Sequence, residues 1–110
     1  MRAPITYISA SEQQKALICN GCGTKGLGGW LVPDTLYGLN ITEECNIHDW
    51  MYHEGETQED KDHADLNFYH NILDKIEQGY RIFKWLRRMR AKKYYLAVKL
   101  WGDTAFWAGK

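Results

Sequence analysis

Six of the ten glycines in this 110-residue chain fall between Gly21 and Gly38, and Pro33 lies among them. Glycine costs about 1 kcal/mol relative to alanine inside a helix and weakens a strand, so this density predicts a long structured loop. Loops of that length in a small domain are usually functional. All regular structure must then come from the flanks, and 110 residues predict a single domain over 1–110 with one core. Three cysteines leave one over and build no disulfide framework, so five Trp, seven Tyr and three Phe must fill that core.

The flanks read as helices. Ser9 or Ser11 followed by Glu12 or Gln14 forms a capping box, predicting a short helix that stops at Asn20-Gly21. Thr42 is placed to cap a second helix whose first turn holds Glu43 and Glu44, which suits the helix dipole, and which runs through Tyr52 towards Gly55. A third helix follows Thr57 and ends at Gly79. Its inward positions Asp65, Phe68, Tyr69, Ile72, Leu73 and Ile76 have the spacing of one helical face. A fourth helix from about Tyr80 to Trp101 is expected to bury Ile82, Leu86, Met89, Leu96 and Leu100, with Gly102 closing it and Asp103 to Lys110 adding a turn. No strand alternation, internal repeat or linker is visible. The expectation is an all-α fold, a small helical bundle carrying the Gly-rich loop.

Charge is divided along the chain although the formal net charge is zero. Between Glu43 and Asp65 nine acids face the single base Lys61, whereas Arg81 to Lys99 holds eight bases and no acid. Either the two stretches are solvated or face each other, or one half carries a cation site and the other meets an anionic partner such as a phospholipid headgroup surface. Met1 to Cys19 contains no long hydrophobic run. That predicts no signal peptide and no membrane span, and a cytoplasmic or particle-associated location.

Chemistry concentrates on the second helix. Cys45, His48, Asp49 and Tyr52 follow the i, i+3, i+4, i+7 stripe that should face the core. An Asp and a His there cost a few kcal/mol of desolvation unless paired. Asp65 occupies the apolar stripe of the third helix and can reach His48 across the helix pair. A carboxylate on one imidazole nitrogen fixes the tautomer and leaves the other as a general base, unless the group is simply a satisfied buried network. The loop Gly26-Leu27-Gly28-Gly29 can turn carbonyls towards one point, and carbonyls beside the Asp49 carboxylate are what Ca²⁺ prefers.

These residues resemble the calcium-dependent phospholipase A2 superfamily. The segment Cys45-Asn-Ile-His48-Asp49-Trp-Met-Tyr52 is similar to that family's C-x-x-H-D-x-C-Y helix, preceded as there by a G-x-G-G loop, here Gly26 to Gly29, and a proline, here Pro33. Ala64-Asp65-Leu66-Asn67-Phe68 resembles the A-D-x-x-F pattern of its smaller bacterial and viral members. The resemblance spans roughly 21–76 and leaves out the basic, aromatic stretch 80–110. It implies a phospholipase A2-like core and hydrolysis of the sn-2 ester of a phospholipid at a membrane or micelle surface. His48 would be the base acting on water, Asp65 would orient it and Tyr52 would hydrogen-bond Asp65. Asp49 would hold Ca²⁺ with the carbonyls of Thr24, Gly26 and Gly28, and the Gly26 N–H would join the metal at the oxyanion. Glu44 and Met51 stand where the family has cysteines, its disulfide set has no counterpart, and the stretch from Pro33 to His48 is longer.

Other classes compete for the same residues. Cys19-x₂-Cys22 and Cys45-x₂-His48 make a Cys₃His pattern for structural Zn²⁺, which would make the chain a zinc-stapled partner-binding module. A catalytically inactive relative of the phospholipase fold is a further alternative. Nucleic-acid binding rests on the basic run alone and is not expected. Trp85, Tyr94, Tyr95, Trp101, Phe106 and Trp107 beside bases suit a membrane interface, or else pack in the core.

Overall fold

A computed structural model describes residues 1–19, 35–79 and 83–110. The Gly-rich stretch, with Cys22, Thr24, Gly26 and Gly28, lies outside the described residues, as do Tyr80 and Ile82. The described chain is mostly helical: α1 (Ile5–Ser9), α2 (Glu12–Ile18), α3 (Thr42–Glu54), α4 (Gln58–Gln78), α5 (Lys84–Trp101) and α6 (Asp103–Trp107). A hairpin of β1 (Thr35–Leu36) and β2 (Leu39–Asn40) precedes α3, pairing Thr35 with Asn40 and Leu36 with Leu39.

The helix starts follow local chemistry. Ser11 and Gln14 form the expected capping box of α2, and Thr57 forms another with Asp60 on α4. At α3 the cap differs from expectation, because Thr42 is already helical and the Asn40 side chain accepts from the Thr42 N–H at 2.8 Å. The hairpin was not foreseen, since two-residue strands leave no alternation to read. Its turn places Tyr37 and Gly38 at φ 47° and 81°, the left-handed pair of a type I′ hairpin turn. Arg87 donates to the Tyr37 carbonyl at 2.8 Å and Tyr94 to the Thr35 carbonyl at 3.0 Å, which fastens the hairpin to α5.

α4 is the central element, packed on both α3 and α5. Phe68, Ile72 and Ile76 are buried on the expected stripe, with Tyr69 and Leu73 half-buried at its edge. They meet Leu36, Ile41, Cys45, Ala91 and Tyr94. The expected stripe of α5 is corrected: Met89, Leu96 and Leu100 face solvent, and Ala91 and Tyr94 with Val98 face the core. Alanine and tyrosine were hidden from an apolar count, but a small residue lets α5 approach α4 and the tyrosine hydroxyl reaches the hairpin. Among the described residues no helix is long and apolar enough to cross a membrane.

The tail closes the far end of α3. Phe106 is buried against Tyr52, with ring centroids 5.2 Å apart and perpendicular planes. The turn between α5 and α6 comes so close that a methyl group on Gly102 would collide with the Val98 carbonyl oxygen and the Tyr52 hydroxyl. Gly102→Ala is therefore expected to lower stability by about 1–3 kcal/mol in urea unfolding. Gly79→Ala, where the nearest atom would be 3.5 Å away, should stay within about 1 kcal/mol of the parent. Equal stability of the two variants would contradict this packing.

Candidate functional site

The stripe of α3 turns one face of a helix turn towards α4. Cys45, His48 and Tyr52 are buried on it, and Asp49 lies half-buried at its edge. From α4, Asp65 meets that stripe with 1% of its surface exposed, against 7% for His48. The His48 Nε2 lies 2.8 Å from Asp65 Oδ1, and the Tyr52 hydroxyl donates to the same oxygen at 2.5 Å. The His48 ring packs between Tyr52 and Phe68, with centroids at 4.1 and 4.8 Å. Thus the three residues expected to form the catalytic group are brought together across the helix pair.

One member was missed in the sequence. Lys61 has no exposed surface, and its ammonium donates to Asp65 Oδ2 at 2.7 Å and to the carbonyls of Val98 and Lys99, each at 3.2 Å. An ammonium has three N–H donors, and all three are used. The two carbonyls lie in the last turn of α5, where the helix dipole favours a cation, and that of Val98 also accepts from the Gly102 N–H at 2.8 Å. Asp103 of α6 lies 3.5 Å away as a second carboxylate. Two signals were available: Lys61 is the lone base in the acidic stretch, and it precedes Asp65 by one helical turn.

This arrangement fixes protonation states. Burial alone would push the Asp65 carboxyl up, but the hydrogen bond and charge of His48 and the bonds from Lys61 and Tyr52 outweigh it and hold it below the usual carboxylate range. An ionised carboxylate only accepts, so the His48 Nε2 carries a proton, and in the neutral form of the ring the lone pair is then on Nδ1, on the other side. The Tyr52 hydroxyl is pushed up by burial and by the Asp65 charge, and stays a neutral donor.

The metal-binding expectations are described in part. Asp49 is an oxygen donor one residue from His48, and the carbonyls of Thr24, Gly26 and Gly28 that would complete a Ca²⁺ site lie outside the described residues. Among the described residues no group of three His, Cys, Asp or Glu side chains is placed to hold a metal ion. Of the proposed zinc ligands, Cys45 is disulfide-bonded and so carries no thiolate. Cys19 keeps a free thiol that donates to the Asn46 carbonyl at 3.2 Å, and burial followed by the charge of Asp49 pushes it up to about 11. Cys22 lies outside the described residues. The positions that depart from the family pattern are filled by packing: Glu44 is buried with Lys75 at 3.4 Å, and Met51 Sδ lies 3.3 Å from the Asn67 amide.

Two consequences are measurable. Lys61→Met strands the Asp65 charge and should cost about 3–5 kcal/mol, while Lys61→Met/Asp65→Leu should cost clearly less than the two single changes summed. Additive losses would mean that the pair is not energetically coupled. Because the folded carboxyl pKa is depressed, Asp65 contributes stability that is fully present above the unfolded value of about 3.9 and is lost as pH falls through the folded value. The stability gap between the parent and Asp65→Asn should shrink as the pH falls below about pH 4. A gap that does not change on acidification would contradict an ionised Asp65.

Compared with family models, with curated proteins and with solved structures, the chain matches none, so the chemistry of this site is argued from its own residues.

Proposed function

We propose that the chain is a calcium-dependent hydrolase of phospholipid sn-2 esters, with His48 as general base and Asp65, Tyr52 and Lys61 as the frame that aims it. The observation that supports this most is the His48 Nε2 to Asp65 Oδ1 contact of 2.8 Å on a carboxylate held by two further donors. A buried imidazole has two ring nitrogens to satisfy, and a partner on one of them fixes which carries the proton. This one is backed by a carboxylate that is itself braced from both sides, the construction that keeps an imidazole in one tautomer.

In the proposed reaction the Nδ1 lone pair of His48 takes a proton from water as its oxygen attacks the sn-2 carbonyl carbon. Negative charge collects on the carbonyl oxygen, and the imidazolium that forms is stabilised by Asp65. The carbon–oxygen bond to the glycerol then breaks, His48 returns its proton to that leaving oxygen, and a fatty acid and a lysophospholipid result. Calcium, held by Asp49 with the carbonyls of Thr24, Gly26 and Gly28, would supply positive charge beside the developing oxyanion, where the Gly26 N–H would also donate. That donor set is all oxygen, which suits Ca²⁺. Lys61 acts through Asp65 and touches no reacting atom.

Release of fatty acid from mixed phospholipid vesicles, in calcium and in excess EGTA, tests the proposal. Hydrolysis should require calcium, fall about 10²–10⁴-fold in His48→Asn with the helical circular dichroism retained, and disappear in Asp49→Lys. No hydrolysis by the parent in calcium, or an Asp49→Lys variant as active as the parent, would overturn it.

A further inference from the structure

The face of α5 turned away from the core is apolar at its centre. Trp85, Met89, Leu96 and Leu100 are 67%, 48%, 39% and 62% exposed. At about 100° per residue they fall within about 60° of one another, opposite Ala91, Tyr94 and Val98, and the stripe runs about 22 Å along the helix. Lys92 and Lys99 border it on one side and Lys93 on the other. α5 carries seven basic residues and no acid. Glu77 of α4 pairs with Arg88 and Lys84 near its start. Among the described residues Lys92, Lys93 and Lys99 have no carboxylate partner.

We infer that this face of α5 is a docking surface for an anionic lipid bilayer, with the Trp85–Leu100 stripe entering the headgroup boundary and Lys92, Lys93 and Lys99 meeting lipid phosphates. Charge complementarity selects this occupant. A second copy laid stripe to stripe would crowd lysines of both copies against each other with no acid on either helix to offset them. A nucleic acid would meet the lysines but leave the apolar centre in water. A bilayer surface takes both parts: the helix lies in the plane, its apolar side chains bury, and the lysine stems follow them while the ammonium groups stay with the phosphates. The choice of lipid among anionic surfaces rests on the function proposed above, whereas the amphipathic face does not.

Sedimentation with vesicles of phosphatidylglycerol and phosphatidylcholine, against vesicles of phosphatidylcholine alone, tests this in EGTA so that the lipid stays intact. The parent should bind the anionic vesicles and lose binding in high salt. Lys92→Glu/Lys93→Glu should weaken binding about twentyfold or more, and Leu96→Ser/Leu100→Ser about tenfold or more, with circular dichroism unchanged because all four side chains are exposed. Neither pair of changes should alter hydrolysis of a monomeric short-chain phospholipid, so failure of docking and failure of the hydrolase are read separately. Parent protein that ignores anionic vesicles, variants that bind as well as the parent, tighter binding to a DNA duplex than to vesicles, or a stable dimer that Leu96→Ser/Leu100→Ser dissociates would each overturn the inference.

Discussion

A carboxylate shut away from water remains ionised only if its oxygens are fully engaged, and Asp65 meets that condition with His48 and Tyr52 on one oxygen and Lys61 on the other. The condition reaches well beyond the site. Lys61 can be buried because it also ends α5, Tyr52 can lie beside Asp65 because Gly102 leaves room for its hydroxyl, and Phe106 seals the tyrosine from the other side. α3, α4, the end of α5 and α6 are thus tied to one charge. A packed apolar cluster could hold four helices as well, but it would not specify which nitrogen of His48 carries the proton.

The site was more legible in the sequence than the fold around it. Cys45, His48 and Tyr52 share a helical stripe with Asp49 at its edge, and Asp65 interrupts an otherwise apolar stripe, so polar residues at inward spacing marked the group. Lys61 was not read because long charged side chains are normally solvated, and its reason for burial is a set of carbonyls more than 35 residues away in sequence. Asp49 belongs to the same helix, yet its proposed partners lie in the Gly-rich stretch outside the described residues.

The misread face of α5 has a physical cause. Periodicity finds an amphipathic stripe but not the side of it that packs, and here the larger apolar residues point outward while Ala91, Tyr94 and Val98 point inward. Close approach of α5 to α4 favours a small residue over a large one, which is why the weaker stripe is the buried one. The hairpin was missed for a related reason, since its two-residue strands hold their register through Arg87 and Tyr94 of α5 rather than through any pattern of their own.

The central claim is that Asp65 fixes the proton of His48 on Nε2 and leaves Nδ1 as the basic nitrogen. Two-bond nitrogen–proton correlation spectra of ¹⁵N-histidine-labelled protein, recorded where the imidazole is neutral, report this directly. The account predicts a single Nε2–H tautomer for His48 that becomes a tautomeric mixture in Asp65→Ala. An Nδ1–H tautomer in the parent, or a mixture unchanged by the substitution, would contradict it.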